Sequence, residues 1–100
     1  MEGFKVMKVW IKEPNDDAVL ADIDNSLKAM QEIVGGYIEC YSLSLTETVV
    51  CNEEGRIRDL PYNCYIEGEH FYGTIFICGT AEEEFTDTNI DKELVKKIIR

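Results

Sequence analysis

The residues best suited to bind a ligand lie in one short segment. Asn52, Gly55, Arg56, Arg58, Tyr62 and Asn63 fall within a dozen positions. Outside the C-terminal helical pattern, Arg56 and Arg58 are the only arginines. A guanidinium makes planar, paired contacts to phosphate, a tyrosine offers a stacking face, and an asparagine amide reads a base edge. If Glu53-Glu54-Gly55 is a tight hairpin turn, Arg56-Ile57-Arg58 pairs back on the preceding strand and both arginines share a face. The alternative is a hairpin whose arginines merely offset Glu53, Glu54 and Asp59, with Asn52 and Gly55 serving the turn.

Other reactive types are sparse. His70 is the single histidine, preceded by Glu67 and Glu69, and reads as a surface or strand-edge residue. Ser42 and Ser44 alternate with Tyr41, Leu43 and Leu45, as on a strand face. No G-x-S-x-G, P-loop or G-x-G-x-x-G segment occurs. An enzyme is therefore not expected. Cys40, Cys51, Cys64 and Cys78 are spaced by 11, 13 and 14 residues, without a C-x-x-C pair. They read as reduced core thiols, although an even count leaves disulfides possible in an oxidising compartment. No metal site or cofactor is expected.

These residues need a scaffold, and 100 residues supply one domain. Phe4 to Lys12 alternates with period two and reads as a strand. A second strand spans Ala18 to Ile23, after the turn-rich Pro14-Asn15-Asp16-Asp17. Asp24-Asn25-Ser26 offers helix N-caps, and Leu27, Met30, Ile33 and Val34 share one helical face. Gly35-Gly36 ends that helix, and its amides at such a turn are also able to cradle an anion. Tyr37 to Leu45 and Thr48 to Asn52 follow as strands, then Leu60 to Cys64 as loop or a single helical turn. Phe71 to Thr80 is apolar or small on both faces, as in a central strand covered on both sides. Thr88-Asn89-Ile90-Asp91 resembles a capping box before a last helix striped by Ile90, Leu94, Val95 and Ile98. The fold expected is α+β, in the order β-β-α-β-β-β-α. It has a mainly antiparallel sheet of about five strands, with two helices packed on one face.

The net charge is −10, from 20 acids against 10 bases. A surplus of acid argues against duplex nucleic acid and anionic membranes as partners. No apolar run reaches the roughly 18 residues of a membrane span. The start of the chain lacks signal-peptide character, so a cytoplasmic protein is expected. The charge is uneven: residues 67–91 hold seven acids and no lysine or arginine. Part of this suits the dipole of the last helix, with acids at its start and bases at its end. Glu82, Glu83, Glu84 and Asp87 also suit a second function, an acidic surface imitating phosphates in front of a basic protein. Glu82-Glu83-Glu84 lacks calcium-loop spacing.

Several stretches resemble one family, domain of unknown function 3846 (DUF3846). They are Met7-Lys8-Val9, Glu13-Pro14, Ile23-Asp24-Asn25-Ser26-Leu27 and Val34-Gly35-Gly36-Tyr37-Ile38-Glu39. Cys51-Asn52-Glu53-Glu54-Gly55, Leu60-Pro61 with Asn63, and Tyr72-Gly73-Thr74 with Gly79 complete the set. The G-G-Y-I-E and N-E-E-G segments, in that order at this separation, carry most of the specificity. The match runs from Met7 to about Leu94, with Met1 to Val6 as an extension. The resemblance implies an accessory protein of a phage, prophage or other mobile element, a setting in which small proteins often counter host defence.

From this follows one leading expectation, a homo-oligomeric, non-catalytic protein that sequesters a nucleotide-derived immune signal. Asn52, Arg56, Arg58, Tyr62 and Asn63 are the expected ligand-binding residues. Long-range repulsion from the acidic surface is screened within about 8 Å at physiological salt. The alternatives are an acidic DNA mimic that inhibits a basic host-defence protein, such as a restriction or nuclease complex, and a regulatory accessory protein without a small ligand.

Overall fold

The computed structural model describes residues 5–100. The architecture is α+β, with two helices and a mainly antiparallel sheet in the expected order. Strands β1 (Val6–Lys12) and β2 (Val19–Asp24) form the first hairpin, in the register Val9↔Ala21. Phe4, placed at the start of that strand by its alternation, lies outside the described residues. Helix α1 (Leu27–Val34) starts at Ser26, whose side chain accepts from the Ala29 amide, and stops at Gly35 in the left-handed conformation. Strands β3 (Ile38–Ser42) and β4 (Glu47–Asn52) form a second hairpin.

The chain then departs from the sequence reading in three places. Residues 53–59 are not a strand returning on β4. Arg58 N–H donates to Glu54 C=O (2.8 Å) and Leu60 N–H to Gly55 C=O (3.0 Å), a run of tight turns. Tyr62–Ile66 is a strand, β5, overlapping the Leu60 to Cys64 stretch expected as a loop or a single helical turn. The long apolar run 71–80 is two strands, β6 (Glu69–Tyr72) and β7 (Ile75–Ala81). Gly73 breaks it at φ +79°, its amide donating to Pro61 C=O at 2.7 Å. β6 therefore pairs with β5 as a separate two-stranded sheet, while β7 enters the main one.

The main sheet runs β2-β1-β7-β4-β3, with β8 (Glu84–Thr86) continuing along β7 where β1 has left it. β7 is central, as its two apolar faces require. Its alternation splits the core in two. Phe76 and Cys78 point to one side with Met7, Val9 and Val50, under Met30 and Val34 of α1. Ile75 and Ile77 point to the other with Trp10, Val49 and Cys51. That second face is covered by Cys64, Ile66 and Phe71 of the β5–β6 hairpin and by Val95 of helix α2 (Lys92–Ile98). The helices thus lie on opposite faces, not on one. A sheet whose central strand is apolar on both sides has two faces to cover.

The N-cap of α2 is Asp91, which accepts from the Leu94 amide at 2.9 Å. Thr88, first in the box-like sequence, turns inward: its hydroxyl donates to Glu47 Oε1 at 2.6 Å. Glu82 and Glu83 form the β7–β8 turn, both at positive φ. All four cysteines are free thiols, three of them buried and Cys40 exposed. No helix among the described residues is long and apolar enough to cross a membrane.

Candidate functional site

The β5–β6 hairpin packs Cys64, Ile66 and Phe71 inward. Its pleat turns Tyr65 and His70 outward, a directly paired couple, and the Tyr62↔Tyr72 pair flanks them across a register shift. Their rings form a continuous strip. Tyr65 and His70 centroids are 4.8 Å apart, His70 and Tyr62 5.6 Å, and Tyr62 and Tyr72 5.4 Å. The Tyr62 hydroxyl is hydrogen-bonded to His70 Nδ1 at 2.9 Å. Arg56 reaches from the 53–59 turns to place its guanidinium 5.3 Å from the centre of the Tyr72 ring. The strip thus runs Arg56, Tyr72, Tyr62, His70, Tyr65.

Beside it lies a cleft of about 280 Å³, reaching to Glu39 and Tyr41 on β3 and Glu53 before the turns. Glu69 also lines this cleft. Its electrostatics are acidic, with three carboxyl groups against Arg56. Burial, reinforced by Glu39, raises the Tyr41 hydroxyl above its ordinary pKa. Burial, again followed by Glu39, pushes the Cys51 thiol up to about 12. A highly charged anion is repelled here, whereas a flat ring of low charge finds stacking faces and one guanidinium.

The five sequence-predicted residues have different fates. Arg56 and Tyr62 are on the strip. Arg58 is not: it turns to Glu54 (3.7 Å) and lines a smaller cavity of about 190 Å³ with Tyr37 and Gln31. The two arginines share no face, because their backbone is a series of turns. Asn52 is buried, its amide donating to Val34 C=O (3.1 Å) and its Oδ1 accepting from Glu54 N–H (2.7 Å). Asn63 donates to Lys12 C=O (2.8 Å) and Gly73 C=O (2.7 Å) and accepts from Lys12 Nζ (2.9 Å). Both asparagines join elements of the fold, and Asn52 also lines the cleft beside the strip. The Gly35 and Gly36 amides are likewise engaged, both with Gln31 C=O. Tyr65, His70 and Tyr72 were missed as site residues. The signal was present in the period-two spacing of His70 and Tyr72, but hidden by reading 71–80 as a single strand.

Asn63→Ala therefore tests a structural role against a ligand role. Urea denaturation is expected to show a loss of about 2–3 kcal/mol, since two backbone carbonyls lose their donors. An unchanged midpoint would return Asn63 to the list of ligand contacts.

Among the described residues, no three His, Cys, Asp or Glu gather as a metal would require. Glu82 and Glu83 sit at the β7–β8 tip and Glu84 opens β8, whereas Asp87 belongs to the fold, its Oδ1 accepting from the Lys8 amide at 2.8 Å. No curated protein and no solved structure matches the chain. A family does match, over residues 7–100, nearly the whole sequence and past the helix that closes the fold. The chain belongs to the family described as domain of unknown function (DUF3846).

Proposed function

We propose that this is a non-catalytic binding protein that holds a nucleobase-bearing ligand of low charge on the outer face of the β5–β6 hairpin. One observation carries the reading: the unbroken strip of Arg56, Tyr72, Tyr62, His70 and Tyr65, with neighbouring ring centroids 4.8–5.6 Å apart. Every nucleobase has a π-face, and stacking on an aromatic side chain contributes about 1–3 kcal/mol per base. Arg56 is held over Tyr72 and supplies a single cation to one phosphate or carbonyl edge. The acids of the adjoining cleft disfavour long polyanions and leave small cyclic nucleotides, which carry one charge per phosphodiester, as the fitting class. In a mobile-element setting such a protein sequesters a nucleotide-derived signal of host immunity, and two protomers placing their strips face to face enclose it further.

Isothermal titration against cyclic oligonucleotides and cyclic ADP-ribose isomers tests this. Tyr72→Ala is expected to weaken binding about tenfold or more, with Arg56→Ala close behind and Arg58→Ala without effect. No heat from wild-type protein with any of these ligands would sink the reading. A second reading, inhibition of a basic partner by acid mimicry, is favoured by the Glu82-Glu83 tip, where two charged residues occupy backbone usually given to glycine or asparagine. It predicts the reverse pattern: Glu82, Glu83 and Glu84 changed to lysine lose activity, while Tyr72→Ala keeps it.

A further inference from the structure

A second cavity, of about 400 Å³, lies between the end of β1, the start of β2 and helix α2, and its charge is opposite to that of the protein. Lys12, Lys92 and Lys96 line it, against Asp17 as the only acid. Lys92 and Lys96 are one helical turn apart on α2, a spacing at which like charges repel. Lys12 is not loose. Its ammonium donates to Asn63 Oδ1 (2.9 Å) and Glu13 C=O (3.0 Å), neutral partners that fix it without cancelling its charge. Among the described residues the ion pairs are Lys8–Asp22 and Arg58–Glu54, so none of the three lysines is neutralised within 4.0 Å. Lys92 and Lys96 are exposed, so their like charges cost little in solvent, but with Lys12 they place three cations around one cavity that holds a single acid. The remaining walls are apolar, from Val19, Val95 and Ile99.

We infer that this cavity binds a phosphate monoester carrying a compact apolar or aromatic group. Ammonium groups act as point charges without the fork geometry of arginine, and suit a compact dianion better than a planar carboxylate. A phosphate monoester carries nearly two charges at neutral pH. Its organic body lies against Val19 and Ile99, and the volume is that of ordinary small-ligand pockets. The site is separate from the Arg56 strip: no residue lining it belongs to the strip or its cleft.

The test is thermal shift and isothermal titration with phenyl phosphate, with inorganic phosphate and phenol as the two half-ligands. Phenyl phosphate is expected to stabilise the wild-type protein and to bind about tenfold tighter than either half. Lys92→Gln combined with Lys96→Gln is expected to weaken it about tenfold or more, and raised salt to do the same. These positions lie on α2, and unchanged unfolding without ligand shows that the variant folds. Arg56→Ala is expected to leave phenyl phosphate binding intact, which separates this site from the strip. No stabilisation of wild type at about 10 mM phenyl phosphate, or equal binding by the double variant, would overturn the inference.

Discussion

Gly79→Ala is expected to destabilise the protein by about 3–5 kcal/mol and to expose its single tryptophan. A Cβ at position 79 would lie 2.2 Å from the Asp87 carbonyl oxygen and 3.1 Å from the Thr86 side chain. No rotamer relieves a clash with backbone, so residues 86–90 must lift from the sheet. That segment does more than join β8 to α2. Its Thr88 hydroxyl and Asn89 amide are the donors that satisfy the carboxyl group of Glu47, which is 5 % exposed and has no ion-pair partner among the described residues. Its Ile90 carbonyl accepts from Trp10 Nε1 at 2.8 Å. Displacement therefore strands a buried acid and an indole N–H together. The measurement is urea denaturation followed by Trp10 fluorescence, with red-shifted emission in the folded variant. An unchanged midpoint and emission would show that the strap over Gly79 is looser than its contacts imply. Thr88→Val, which removes one donor and adds no backbone clash, is expected to cost a smaller part of the same loss.

The same strap illustrates what could be read from the residues and what could not. The alternation of β1 and β7, the Ser26 cap and the Gly35 stop are local signals, each legible within a few residues. They were sufficient for the α+β class and for a central β7. Capping by Asp91 instead of Thr88 was not legible, because Thr88 is claimed by Glu47, 41 residues earlier. The structural work of Asn52 and Asn63 was hidden for the same reason. Their partners are Val34 and Lys12, 18 and 51 residues away, and a free amide in sequence is indistinguishable from an engaged one.

Gly73 shows a different limit. A glycine inside an apolar run is compatible with a continuous strand, and only its φ of +79° makes it a break. Reading through it concealed the two-stranded sheet on which the aromatic strip is built. It also placed Tyr72 in a buried strand, whereas the break leaves Tyr72 on the hairpin under Arg56. The lysine cavity lay furthest from view. Lys92 and Lys96 share a helical face by simple periodicity, but Lys12 joins them only because β1 and α2 pack on one side of the sheet, through Trp10 and Val95.

Raising the pH from 9 to 11 is expected to lower stability by several kcal/mol, on the order of half or more of the margin of a domain this size. Three buried thiols lead the effect, and the Tyr41 hydroxyl, also raised by burial, adds to it in the same direction. Burial pushes Cys78 from 9.0 up to about 12, with Cys40 and Glu47 adding to it. Burial pushes Cys51 to about 12, helped by Glu39. Cys64 rises to about 11, again by burial, with Lys12 pulling the other way. In the unfolded chain all three ionise near 9, while in the folded protein Cys51 and Cys78 keep their protons through the window and Cys64 begins to lose its own only near 11. The folded state thus binds more protons throughout this window. Its advantage is complete below pH 9 and is lost as the pH climbs toward 11–12, at up to about 1.4 kcal/mol per pH unit for each thiol. Acid has no such effect through these groups, since both states hold their protons there. Urea midpoints at pH 8, 9, 10 and 11 measure the slope. Cys78→Ala starts from a lower stability because it leaves a void beside Phe76, but its dependence on pH is expected to be shallower by about a third. A Cys78→Ala slope equal to that of wild type would mean that Cys78 ionises as readily inside the protein as outside, and that the face beneath α1 is wetter than its packing requires.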